Sequence, residues 1–162
     1  MDNIMIAPEQ ATLTNEQIIA HLNTLIETCK DGQQGFSCAA EDVQNSAFET
    51  LFSTYARQRG RFIKELEAEI RHLGGYGEEA AGSFTGALHR GWINMKAAWT
   101  SGDEAAILSE CVRGENAAVE VYKKMLADND LGPTINQLVK SQYMDICMAD
   151  EKVRSLTTIL SD

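Results

Sequence analysis

Residues 48–75 read FETLFSTYARQRGRFIKELEAEIRHLGG. Phe48, Leu51, Phe52, Tyr55, Phe62, Ile63, Leu66, Ile70 and Leu73 recur three and four positions apart, which gathers them on one face of an α-helix. Gly74-Gly75 closes the stripe, because glycine takes the left-handed conformation that ends a helix without a steric penalty. No stretch of the chain alternates with period two, so no sheet is predicted. A helical stripe of this length decides the fold class: the protein is all-α.

The segments on either side repeat the pattern. Upstream, Thr14 and Gln17 have the spacing of a capping box, and Leu13 and Ile18 occupy the two staple positions around it. Ile18, Leu22, Leu25, Ile26, Cys29, Phe36, Ala40 and Val43 then form a stripe carried to about residue 45, where Asn45-Ser46 makes a tight turn into the second helix. Downstream, Ser101 and Glu104 predict another capping box. Ile107, Leu108, Cys111, Ala118, Val119, Tyr122, Met125 and Leu126 follow as a third stripe. Gly132-Pro133 interrupts it, and proline suits a first helical position. The last stripe runs Ile135, Leu138, Val139, Ile146, Ala149, Val153, Leu156 and Leu160.

Between the second and third stripes lies a long connection over residues 76–102. Phe84, Leu88, Trp92, Met95 and Trp99 share a face there, which predicts a short fifth helix lying across the outside of the bundle. Two tight turns and one long crossover give the ferritin-like arrangement, with the second and third helices parallel. Residues 1–12, which include Pro8, are predicted to be a flexible N-terminus, and residues 13–162 a single domain.

Composition narrows the function. The 162 residues carry 14 Lys and Arg against 24 Asp and Glu, a net charge of −10. Such a surface repels phosphate backbones and anionic lipid, so neither nucleic acid nor membrane is an expected partner. No apolar run is long enough to span a bilayer, and MDNIMIAPEQ has neither the basic start nor the apolar stretch of a signal peptide, so the expected location is cytoplasmic. Cys29, Cys38, Cys111 and Cys147 form no C-x-x-C pair and no zinc spacing with histidine. They read as small buried hydrophobes kept reduced. Phosphate loops and catalytic triad motifs are absent.

The segments LNTLIETCKDGQQGF (22–36), RFIKELEAEIRHLGG (61–75), GALHRGWINMKAAW (86–99) and CVRGENAAVEVY (111–122) resemble a bacterial family of ferritin-like four-helix bundles catalogued as a domain of unknown function. Its crossover signature, L-H-R-G-W-x-N-x-K, stands at Leu88–Lys96. The resemblance covers residues 18–126 closely and the last helix loosely. It implies a ferritin-like fold and a bacterial, often stress-associated protein, and it implies no established reaction.

Ferritin-like di-metal sites take a glutamate from each of two helices and Glu-x-x-His from each of the other two, all pointing inward. Glu69-Ile70-Arg71-His72 has that spacing. At about 100° per residue, however, Glu69 falls roughly 60° and His72 roughly 120° from the stripe axis. Glu27 and Glu41 on the first helix also point away from the core. The fourth helix has no histidine; Asp145 and Asp150 are its nearest inward candidates, and the resemblance implies a histidine at the position of Asp150. His21, His72 and His89 converge on no layer. No metal or other cofactor is therefore expected. Were iron or manganese held, the ligands would be Glu69, His72, Glu115 and Asp150.

The same phase arithmetic turns three polar residues inward: Arg59, Glu115 and Gln142. With parallel second and third helices, Arg59 and Glu115 stand at nearly the same height, which predicts an ion pair across the core, since a lone buried charge is prohibitive. Gln33 reaches a similar level from the first helix, and Gly32, Gly35, Gly60 and Gly114 lie near it, predicting a waist where backbones approach. The functional expectation is a non-enzymatic bundle with a degenerate metal site and one buried polar layer of Arg59, Glu115, Gln33 and Gln142, built on the Arg-Glu pair, acting as a homodimer or on a protein partner through the crossover helix. His89, Arg90 and Lys96 give that helix a basic polar face. The alternative is a di-metal carboxylate oxidase or peroxide-handling protein.

Overall fold

A computed structural model describes residues 12–76 and 103–160. Four long helices account for nearly all of them: α1 (Asn15–Asp42), α2 (Ser46–His72), α3 (Glu104–Asp128) and α4 (Pro133–Leu160), with no strand among the described residues. The expected N-terminal flexible segment (1–11 of it) and the fifth helix over 84–99 lie outside the described residues.

Local chemistry sets each boundary. Thr14 and Gln17 form the reciprocal capping box at the start of α1, with bonds of 2.9 and 3.2 Å. Asn45 caps α2 through the amides of Ala47 and Phe48. At the end of α2 the amide of Gly75 bonds to the carbonyl of Ile70 while Gly74 takes φ +84°. Gly132, at φ +90°, precedes Pro133, and Asp130 accepts from both the Gly132 amide and the Asn136 side chain to shape that turn.

The start of α3 differs from the sequence expectation. Its N-cap is Asp103, which accepts from the Ala105 amide. Ser101 lies outside the described residues; Glu104, the first residue of the helix, accepts through its Oε1 from the amides of Gln44 and Asn45, at 3.2 and 2.9 Å. A carboxylate at the head of α3 thus satisfies donors at the head of α2, where the helix dipole favours negative charge. This contact fixes the topology. The starts of α2 and α3 lie at one end of the bundle, so the two helices run parallel. Tyr76 and Asp103 stand at opposite ends of a helix about 40 Å long.

The core divides into two apolar clusters. One packs Leu22, Leu25, Phe62, Leu66, Ile70 and Ile146 with their neighbours toward the end of α2. The other packs Phe36, Phe48, Phe52, Ile107, Leu108 and Val153 toward its start. Along α2 the break falls between Ala56 and Phe62, and along α3 between Cys111 and Ala118. Arg59 and Glu115 occupy those breaks.

Candidate functional site

Arg59 and Glu115 are 1% and 2% exposed, and the Arg59 Nη2 donates to Glu115 Oε2 at 2.5 Å. The guanidinium lies deep between α1 and two rings. Gly32 of α1 runs along the stem, where a Cβ would sit 3.4 Å from Arg59 Cγ, an ordinary packing distance. Phe36 and Phe62, one from each apolar cluster, present their rings to the guanidinium carbon at 5.7 and 5.8 Å. A weakly hydrated, planar cation tolerates this apolar, aromatic setting better than an ammonium would. Gln33 is half-buried and packs over Gly60, where a Cβ would approach its Nε2 to 2.7 Å. The expected waist is therefore an α1–α2 feature; Gly114 faces open space.

Burial raises the Glu115 carboxyl to about 7, against the lowering effect of Arg59; the negative charge of Asp150 adds to the rise. Around neutral pH this pair can therefore take up or release a proton inside the core. Arg59 Nε, Gln58 Oε1 and Asp150 Oδ1 are buried and lack a hydrogen-bond partner.

Gln142, also 1% exposed, belongs to a separate level and does not join the ion pair. Its Oε1 accepts from the Tyr122 hydroxyl at 2.9 Å, and its Nε2 donates to Glu65 Oε2 at 2.9 Å and to the Phe62 carbonyl at 3.4 Å. Tyr122 has spent its one proton on Gln142, so Cys29 Sγ, 3.1 Å away, donates to the Tyr122 oxygen. A hydrogen-bonded chain thus runs from a buried thiol to a half-buried carboxylate. Burial pushes the Cys29 thiol up to about 11, raises Cys111 further, and raises Tyr122 as well. None of these is an activated nucleophile. Tyr122 reads in the sequence as one more member of an apolar stripe; only its hydroxyl hints at the partner a buried tyrosine requires.

The residues named for a metal are not brought together. Glu69 and His72 approach each other at 3.8 Å on the outside of α2, where His72 is 76% exposed. Ten residues along α2 separate Glu69 from Arg59, about 15 Å. Asp150 bonds to Arg154 at 2.8 Å, and Glu115 is bonded to Arg59. No group of three or more His, Cys, Asp or Glu side chains converges among the described residues. Among the described residues Glu115 is the only fully buried carboxylate, and it already faces a fixed cation. These residues do not fit a di-metal centre.

Residues 17–128 match the family described as a domain of unknown function, DUF2383. The chain belongs to that family. No curated protein matches this DUF2383 chain. Among solved structures it is similar to a two-domain protein from Anabaena variabilis containing DJ-1/ThiJ/PfpI-like and ferritin-like domains, with a TM-score of 0.75 at 15% identity. The match covers 93% of this chain and 39% of that one, so the DUF2383 chain spans well under half of the relative's length. At that identity the likeness establishes the ferritin-like fold. Among the described residues no helix is long and apolar enough to cross a membrane.

Proposed function

We propose that this protein is a non-enzymatic ferritin-like bundle, located in the cytoplasm, that acts through its surface on a protein partner or a second copy. In it an ion pair replaces the metal centre. The observation that carries this reading is the Arg59–Glu115 pair, 1% and 2% exposed, between the two apolar clusters. A guanidinium on α2 supplies the positive charge that a metal supplies in di-metal carboxylate bundles, and it cannot dissociate. The pair joins α2 to α3 across the bundle, which specifies their register in the way a single buried polar contact specifies a coiled coil.

Metal analysis tests the reading. Protein produced with iron and manganese and purified without chelator is expected to hold far less than one equivalent of either metal per chain. Two equivalents of iron, lost together on Glu115→Gln, would instead establish a di-metal oxidase or peroxide-handling protein.

A further inference from the structure

α2 and α4 touch where Gln142 reaches Phe62 and Glu65, and where Arg61 comes within 3.7 Å of Asp145. Toward the start of α2 they leave an open groove of about 560 Å³, lined by Leu51, Tyr55, Gln58 and Met148, with Asp145, Glu151 and Lys152 as its charged members. Met148 stands 66% exposed on its wall, and Met144, one turn back on α4, is 56% exposed. Exposed methionines beside an apolar groove mark an interaction surface, since flexible thioether side chains fit a hole in a neighbour at little cost.

We propose that this groove seats a second copy of the chain, with the two α4 helices crossing antiparallel about a twofold axis near Met148 and each Met148 entering the other's groove. The charges on α4 select this occupant. Lys152 and Asp145 lie equally far, about 5 Å along the axis, on either side of the point between Met148 and Ala149. In an antiparallel pair centred there, Lys152 faces Asp145 of the partner subunit, and symmetry repeats the contact. A surface that supplies both the knob and the hole, and both members of the charge pair, is self-complementary. The inference goes beyond the functional reading above: it names the copy and the face, uses none of the crossover, and is independent of metal content.

Sedimentation equilibrium of the whole protein at about 100 µM and physiological salt tests it. The expected mass is twice the 17.8 kDa of one chain. Met148→Glu is expected to give a monomer with unchanged helical circular dichroism, because it places a charge in each groove. Lys152→Asp is expected to weaken association at least tenfold, and adding Asp145→Lys in the same chain to recover part of that loss, since both members of the twofold pair are exchanged. In a Cys147→Ser background, Met148→Cys is expected to cross-link to its own copy under oxidation. A wild-type monomer at this concentration, or a dimer that Met148→Glu leaves intact, overturns the proposal; charge exchange without any recovery overturns the antiparallel register.

Discussion

Replacing Arg59 by methionine keeps an unbranched stem over Gly32 and removes the guanidinium from Glu115. Two responses compete. The carboxylate can stay ionised and alone in the core, at about 3–5 kcal/mol. Or it can take up a proton, at about 1.4 kcal/mol for each pH unit above the value at which the wild-type group titrates. That value is about 7. Near pH 8.5 the second route costs about 2 kcal/mol and is the cheaper, so the variant protonates. The folded wild type holds Glu115 above its ordinary 4.5, so its stability falls as pH rises from about 4.5 to about 7 and this contribution is flat above that. Without Arg59, whose charge and hydrogen bond both lower the carboxyl, the folded value rises further and stability keeps falling above 7. The penalty of Arg59→Met relative to wild type should therefore grow by about 2 kcal/mol between pH 6 and pH 8.5. Glu115→Gln, and the double variant, should lose this proton-linked slope altogether.

Urea unfolding of the four proteins near pH 6, 7 and 8.5 measures all of this. The coupling energy from the double-mutant cycle should be larger at pH 8.5 than at pH 6, because Arg59 acts on the ionised carboxylate. An Arg59→Met penalty identical at both pH values refutes the reasoning that burial outweighs the guanidinium. Additive single effects at every pH would show that the two residues do not act as a pair.

Three further outcomes are expected. A thiol reagent should label Cys38 and Cys147, both half-buried, before Cys29 and Cys111, which are buried with raised thiols and should react only on unfolding; prompt labelling of Cys29 in folded protein would contradict its place behind Tyr122. Tyr122→Phe strands the Gln142 carbonyl and removes the acceptor for Cys29, and should lower stability by about 1–3 kcal/mol in the same urea assay, whereas a change near zero would mean that the hydrogen-bonded chain contributes nothing. Glu104→Ala removes the acceptor for two amides at the head of α2 and should lower stability by about 1 kcal/mol, with faster amide exchange at Gln44 and Asn45; unchanged exchange there would argue against the cross-helix cap.

Helix positions and the inward phase of Arg59, Glu115 and Gln142 were legible because a 3.6-residue period fixes which side chains share a face. The turns were legible where a residue's own backbone demands are decisive, as at Gly74 and Pro133. Three features were not. The head of α3 was misread because Ser101 and Glu104 have capping-box spacing, and spacing cannot show that Glu104 is claimed by amides sixty positions earlier in the chain. Gln142 was placed on the right axis but grouped with the wrong level, because phase gives a direction around a helix and says nothing of how one helix slides along its neighbour. Tyr122 was hidden because its ring satisfies the apolar pattern while its hydroxyl answers to a partner on another helix.

The two levels that sequence merged have different consequences. The Gln142 network is neutral at its centre and each of its bonds crosses between helices, so it adds specificity without placing a charge in the core. The Arg59 level carries charge, and burial holds its carboxyl near neutral pH. A metal ion at that level would have to compete with a cation tethered by α2, braced by Gly32, Phe36 and Phe62, and already bonded to the carboxylate. Removing Arg59 alone frees only one inward carboxylate, while His72 stays on the outer face and Asp150 stays with Arg154. Arg59→Met is therefore not expected to create a di-metal site: the other residues named for a metal stay where their own partners hold them.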